Sequence, residues 1–393
     1  MFERALVQKL VDRMNEPRRF IQMVVGPRQT GKTTAVYQAL SHLNQPTRFV
    51  SADEPSILTA DWLKGEWSQA RLLAQDSEDG AILVIDEIQK MPQWSTTVKF
   101  LWDEDARLGT NLRVILTGSS ALLLRKGMKE SLMGRFEVLR STHWIYEECR
   151  EAFGYTLDEF LYFGGYPGSA ELRVDPVRWM QYMGDSIVEP TISQDILQME
   201  EIRKPALMRA LFMLGATYSG QELSYTKILG QLQDAGNTVT LAHYLALLGS
   251  AGLLTGLGKF SHELVRARKS SPRFMVEDTS LMVYASGTTR EKLDQDSTWR
   301  GHLVESAVGA YLLTRAQEER FEVYYWRDRN HEVDFVIRKG NALTAIEVKS
   351  GRIKGVGGGL EFMKRNPEAL VHIVGSPHLP LEDFLLGRVR LFK

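Results

Sequence analysis

Gly26-Pro-Arg-Gln-Thr-Gly-Lys-Thr33 satisfies every fixed position of the phosphate-binding pattern G-x-x-x-x-G-K-[ST]. Such a loop implies a nucleoside triphosphate. Glycines at 26 and 31 let the backbone curl so that its N–H groups point at phosphate oxygens, and the following helix adds partial positive charge there. The expected binding set is Gly26, Pro27, Arg28, Gln29, Thr30, Gly31, Lys32, Thr33 and Thr34. Lys32 would reach the β- and γ-phosphates, and the Thr33 hydroxyl would ligate Mg²⁺. A second element agrees. The apolar, β-branched run at 81–85 ends in Asp86-Glu87. It suits a central parallel strand covered on both faces. An acidic pair at the end of a buried strand is costly unless a cation or a catalytic role accounts for it. Asp86 would hold Mg²⁺ through water, and Glu87 would polarise the attacking water, which favours hydrolysis over transfer to another substrate.

The C-terminal quarter carries a second set of carboxylates, Glu305, Asp334 and Glu347, with Lys349 two residues on. Strand side chains alternate. Glu347 and Lys349 therefore share a face while Val348 points to the core, and Asp334 lies opposite Val333, Phe335 and Ile337. If the two strands pair, Asp334, Glu347 and Lys349 converge. Two carboxylates and a carbonyl suit a hard cation, Mg²⁺ or Mn²⁺. A neighbouring lysine could position a metal-activated water. The plainer reading is an ion-pair ladder across two strands.

Strand-like and helix-like segments must alternate to position the first site. Strand candidates are 20–25, 47–51, 81–85, 112–116 and 136–140, and a helix leaves the loop at 32–43. Alternation predicts a parallel sheet between helices. The run at 112–116 leads into Thr117-Gly-Ser-Ser120, a turn or a sensor of the γ-phosphate. Residues 151–205 read as a helical lid or connector, broken at Phe163-Gly-Gly-Tyr-Pro-Gly168. At 206–290 the order is helix, turn, helix, hairpin, that of a winged helix. Asn237 or Thr238 caps the second helix. Lys259, Arg266, Arg268, Lys269 and Arg273 cluster on the expected wing, where they would contact DNA phosphates. A solvated loop or a protein-binding module fits the same residues. From 291 the chain is α/β again, with a helix at 299–313, strands at 321–327, 331–338 and 342–350, a helix at 359–366 and a strand at 370–374.

The 393 residues call for two or three domains. Apolar content of 44% and charged content of 25% are those of a globular protein. A net charge of −1 gives no global basic field, so a nucleic-acid surface must be local. Cys149 is the sole cysteine, excluding an internal disulfide and a cysteine-based zinc finger. No apolar run approaches the roughly 18 residues of a membrane span, and the N-terminus lacks a signal-peptide core. A cytoplasmic location is expected.

The chain as a whole resembles the bacterial and archaeal ATPases that join an AAA-type P-loop domain to a DUF4143 C-terminal region. The resemblance rests on residues 26–33, Ile85-Asp-Glu-Ile-Gln89, Leu116-Thr-Gly-Ser-Ser120, Gly134-Arg135, Gly164-Gly-Tyr-Pro167, Glu332-Val-Asp334 and Ile346-Glu-Val-Lys-Ser350. The last two are similar to a PD-(D/E)XK nuclease core, with Val-Asp in place of Pro-Asp. The resemblance implies that Arg135 acts as an arginine finger at a neighbour's nucleotide, which requires a homo-oligomer, expected to be a hexameric ring. It implies that Thr117 or Ser119 is the sensor residue, and that the C-terminal region is of a DNA-acting superfamily. No second sensor arginine is visible. The expected architecture is an AAA-type P-loop domain at 1–150, the connector at 151–205, a winged helix at 206–290 and a nuclease-like α/β domain at 291–393. The expected function is an ATP-hydrolysing, oligomeric motor on forked or branched DNA. An ATP-gated nuclease with a second Mg²⁺ or Mn²⁺, and a nucleotide switch for a protein partner, are the alternatives.

Overall fold

The computed structural model describes residues 2–53, 59–119, 132–197, 202–222, 225–231, 237–261, 271–350 and 357–393. The chain divides into two units, Met1–Thr142 and His143–Lys393.

The first unit is built on five parallel strands: β1 (Ile21–Gly26), β2 (Thr47–Ser51), β3 (Ala81–Asp86), β4 (Leu112–Ser119) and β5 (Phe136–Arg140). All five strand-like runs of the sequence are strands. The order is β2-β3-β4-β1-β5, so β4 lies between β1 and β3. Helices α1 (Ala5–Asn15) and α2 (Lys32–Ser41) pack on one face, and α3 (Ala60–Gln75) and α4 (Trp94–Leu108) on the other. β3 shows why its sequence is a continuous apolar run. Ile82 and Val84 enter the α1/α2 core, while Ala81, Leu83 and Ile85 enter the α3/α4 core. Both faces are dry, so no polar alternation is possible. In open sheets of this kind, ligands sit outside the carboxyl ends of the strands. The C-terminal ends of β1, β3 and β4 carry Gly26, Asp86 and Ser119.

The second unit begins with α5 (Tyr146–Phe153) and α6 (Leu157–Phe163). Helix α7 (Pro176–Tyr182) continues through two π-helical stretches, Met183–Val188 and Thr191–Ile196. Helices α8 (Pro205–Thr217), α9 (Tyr225–Gln231) and α10 (Thr238–Ser250) follow, then the antiparallel hairpin β6 (Leu254–Lys259) and β7 (Arg273–Val276). Asn237 caps α10 by accepting the Thr240 N–H at 2.9 Å, an interaction of about 1 kcal/mol. Next come α11 (Thr279–Ser286), α12 (Arg290–Gln295) and the long α13 (Ser297–Glu319). The chain ends with β8 (Glu322–Asp328), β9 (His331–Lys339), β10 (Ala342–Val348), α14 (Gly357–Arg365), β11 (Leu370–Val374) and α15 (Leu381–Leu385). One sheet of order β11-β10-β9-β8-β6-β7 joins the hairpin to the C-terminal strands, because β6 pairs with β8.

That sheet crosses the expected boundary at 290, since β6 and β7 precede it and β8 to β11 follow it within the second unit. The break at Phe163-Gly-Gly-Tyr-Pro-Gly168 has a packing reason. Buried Asp278 accepts the Gly165 N–H at 2.7 Å. A Cβ on Gly164 would lie 1.9 Å from Asp278 Oδ1, and one on Gly165 would lie 2.2 Å from the Trp144 carbonyl oxygen. No helix-forming side chain fits between them.

Candidate functional site

The loop at 26–33 leaves β1 and closes into α2. Gly26 is required by close approach, since a Cβ there would lie 1.9 Å from the Ser141 carbonyl oxygen. Gly31 sits at φ +84°, the left-handed region in which only glycine is unstrained. Thr30 Oγ1 donates to the Pro27 carbonyl at 3.0 Å and lies 3.0 Å from Ser141 Oγ. Arg4 is buried and donates to the carbonyls of Thr142 at 2.9 Å and Thr30 at 3.5 Å. Arg4 and Ser141 thus brace the loop from behind, a role the sequence alone did not disclose. Lys32 donates to the carbonyls of Pro27 at 2.8 Å and Gly26 at 3.1 Å, folded along the loop.

Opposite the loop, Thr33 Oγ1 lies 3.1 and 3.3 Å from the two Asp86 carboxylate oxygens. Thr117 hydrogen-bonds Asp86 and accepts the Glu87 N–H at 3.2 Å. β4 places Thr117 beside Val24 of β1, so the sheet order alone brings this hydroxyl between loop and acids. Glu87 adopts φ +53°, rare for a residue with a Cβ and typical of functional positions. Burial pushes its carboxyl above the ordinary range, Lys32 pulls it down, and Asp86 pushes it up again. Gln89 donates to Glu87 and, at 3.2 Å, to Ser119 Oγ. Asp53 and Lys90, an ion pair, line the same cleft as Arg28, Gln29, Gly31, Lys32, Thr33, Thr34 and Glu87. Gln89, Asp53 and Lys90 were not expected from sequence. Gln89 did stand in the quoted Ile85–Gln89 motif, three residues from Asp86.

These residues fit a nucleoside triphosphate with Mg²⁺. The loop leaves room for backbone only, a lysine ends inside it, and the Thr33 hydroxyl faces the Asp86 carboxylate, the pair that would hold the ion. Arg135 does not line this cleft. Its guanidinium makes a fork with Asp103 at 2.7 and 3.0 Å, on a partly exposed surface.

The second unit brings Glu305, Asp334, Glu347 and Lys349 together, with a difference. Glu347 is 3% exposed, whereas Val348, expected in the core, is only half-buried. β10 is an inner strand with helices against it, so its acidic face is also covered. Glu347 accepts the Gly359 N–H at 2.5 Å, at the start of α14, and Lys349 Nζ at 3.0 Å. Asp334 Oδ2 accepts the Val348 N–H at 2.7 Å. Burial raises the pKa of both Glu305 and Asp334, and the Asp334 charge raises Glu305 further.

The expected wing is corrected at one residue. Arg273 is 2% exposed and points into this acidic cluster, not toward solvent. It donates to Glu305 Oε1 at 3.0 Å and to the Asp334 carbonyl at 3.3 Å, and it pairs with Glu332. The reason is its register: β7 is the outer strand of the sheet, and Arg273 lies opposite Leu257 with its guanidinium over the Tyr325 ring, 5.1 Å away. Lys259 ends β6 beside Tyr325 and is partly exposed. Arg266, Arg268, Lys269 and Ser120 lie outside the described residues.

Comparison with known families agrees with the first unit's geometry. Residues 18–149 match an AAA domain, residues 154–292 a domain of unknown function (DUF8612), and residues 300–366 a domain of unknown function (DUF4143). The matches describe an AAA-type ATPase domain followed by a DUF4143 C-terminal region. The uncharacterized protein MJ1544 of Methanocaldococcus jannaschii is 22% identical over 340 residues, 81% of this chain and 72% of that protein. Two solved structures are remotely similar. The Aeropyrum pernix ORC1 protein in complex with DNA has a TM-score of 0.32 at 11% identity, over 72% of this chain and 91% of that one. AMPPCP-bound DnaA from Aquifex aeolicus has a TM-score of 0.31 at 13% identity, over 62% and 86%. Among the described residues no helix is long and apolar enough to cross a membrane.

Proposed function

We propose that the chain hydrolyses ATP in its N-terminal unit and uses the nucleotide cycle to act on DNA as a homo-oligomer. The observation that carries the first half is the convergence of Lys32, Thr33, Asp86, Glu87 and Thr117 at the carboxyl ends of three adjacent strands. Backbone N–H groups of 28–34 and the Lys32 ammonium bind phosphate oxygens. Thr33 and Asp86 would hold Mg²⁺, which would neutralise charge on the phosphates when bound. Glu87 orients the attacking water and accepts its proton, and Thr117 fixes the backbone of Glu87 while contacting Asp86. Gln89 aims Glu87 and ties it to Ser119, so these two join Thr117 as candidates for sensing the γ-phosphate.

Arg135 is the candidate arginine finger. It would exchange Asp103 for a neighbour's phosphate in a ring, expected to be a hexamer. Its partial exposure and its absence from the lining of its own cleft support that reading. The DNA half rests on Lys259 and on Arg266, Arg268 and Lys269 in the segment joining β6 to β7, and on the winged-helix order of α8–α10, β6 and β7. Forked or branched DNA is the proposed client. A nucleotide switch for a protein partner is favoured by one observation: the burial of Arg273 removes a charge from the expected DNA surface.

The test separates binding from hydrolysis. Lys32→Ala should abolish turnover, and Arg135→Ala should abolish it while leaving ATP binding intact. Mixing Arg135→Ala with Glu87→Gln subunits should restore part of the activity, since each supplies what the other lacks. Normal turnover by Lys32→Ala would refute the site, and no restoration on mixing would refute the shared arrangement. DNA affinity falling steeply with salt would support the DNA client over the protein switch.

A further inference from the structure

The C-terminal acidic cluster resembles a divalent metal site in sequence, yet its side chains are arranged around a different cation. Arg273 Nη1 lies 3.0 Å from Glu305 Oε1 and 3.8 Å from Asp334 Oδ1, and its other amino group pairs with Glu332. Three further oxygens have donors of their own. Asp334 Oδ2 takes the Val348 N–H at 2.7 Å, Glu347 Oε1 takes the Gly359 N–H at 2.5 Å, and Glu347 Oε2 faces Lys349 Nζ at 3.0 Å. The Asp334 carbonyl, a third type of ligand a hard cation would want, accepts from Arg273 at 3.3 Å. Among the described residues no group of three histidine, cysteine or acidic side chains is disposed to hold a metal.

The donor set therefore does not fit a divalent ion. Oxygens of Glu305, Asp334 and Glu347 already accept from N–H groups, and a buried guanidinium repels a second cation at close range. The arginine is not a surface residue folded inward. It is 2% exposed, packs on Tyr325, and its Nε is buried with no acceptor. Gly220 and Gly358 show that the surroundings are closed down on the cluster. A Cβ on Gly220 would lie 3.3 Å from the Glu305 carboxyl carbon, and one on Gly358 would lie 1.8 Å from the Glu332 carbonyl oxygen.

We propose that Arg273 is the resident cation of this site, standing where a nuclease-like core would take Mg²⁺ or Mn²⁺, and that it staples the β6–β7 hairpin to α13 and β9. The C-terminal region then serves as a rigid platform for the hairpin and performs no metal-dependent cleavage. This inference is independent of the ATPase reading.

The experiment is Mn²⁺ binding by the nucleotide-free full chain, followed by the electron paramagnetic resonance signal of free Mn²⁺. Wild-type and Asp334→Asn proteins should take up the same number of ions. Arg273→Met, which keeps the stem and removes the charge, should bind one more ion per chain, and Arg273→Met/Asp334→Asn should lose it again. Wild-type protein that loses an ion on Asp334→Asn would overturn the proposal. So would equal uptake by Arg273→Met and wild type, because the guanidinium would then not be what excludes the metal. Should Arg273→Met fail to fold by circular dichroism, the wild-type against Asp334→Asn comparison decides alone.

Discussion

Glu87 is the residue on which the proposed hydrolysis turns, and its setting gives it a pH signature. Burial and Asp86 hold its carboxyl above the ordinary range, while Lys32 and the Gln89 hydrogen bond oppose them. A base must be ionised to work, so kcat should fall on acidification at a pH above that of an ordinary carboxylate. Gln89→Ala removes a stabiliser of the charged form and should move that acid limb further up, with a lower plateau. A limb unmoved by Gln89→Ala would show that Gln89 does not act on Glu87. Glu87→Gln should keep nucleotide binding and lose hydrolysis by about 10²- to 10⁴-fold, the usual worth of a positioned base. Measuring kcat across pH for the three proteins checks both statements. At this scale the sequence was informative where chemistry imposes a pattern: Gly26, Gly31, Lys32, Thr33 and Asp86-Glu87 stand at fixed spacing. Arg4, Ser141, Asp53 and Lys90 were illegible because they reach the loop from other parts of the unit, with no local signal.

Elements were legible where both faces of a strand are buried and the apolar run is unbroken, as in β1 and β3. They were less so where one polar residue is buried for a tertiary reason. Glu347 and Arg273 sit on strands whose alternation suggested exposure, and only the pairing of β6 with β8 and the approach of α14 explain their burial. Two further acids at the end of β7 carry predictions. Asp278 accepts N–H groups from Gly165 and Ser280 at 2.7 and 2.9 Å. Asp278→Ala should cost about 2–3 kcal/mol in urea unfolding, since buried donors lose their acceptor. A loss below about 0.5 kcal/mol would mean that the Gly164-Gly165 corner is held otherwise. Glu277 is buried, its carboxylate accepts from the Thr255 hydroxyl at 2.7 Å, and burial pushes its carboxyl up to about 7. Its folded pKa thus exceeds its unfolded value near 4.5. The folded state binds the extra proton, so this stability is fully present below about 4.5 and is lost as pH rises through about 7. The full effect is roughly 3 kcal/mol at about 1.4 kcal/mol per unit. Urea unfolding from pH 5 to 8 should show that decline in wild-type protein and a flatter profile in Glu277→Gln. Equal slopes would place the titration elsewhere.

For the whole molecule, two units with separate cores carry two acidic constellations of opposite character. In the first, a lysine, a threonine hydroxyl and two acids surround a cleft. In the second, an arginine fills the space between acids. The sequence alone made them look alike, because it shows carboxylate spacing and not what is inserted between the carboxylates. The continuous sheet from β11 to β7 follows from strand pairings that join distant segments. On the proposed reading the first unit supplies the energy and the second contacts the client. The most direct test is steady-state ATP hydrolysis by the full chain, alone and with single-stranded, duplex, forked and four-way-junction DNA. The account predicts Lys32-dependent turnover stimulated most by a forked or branched structure. Turnover that is unchanged by every DNA would contradict it and leave the nucleotide switch for a protein partner as the reading to pursue.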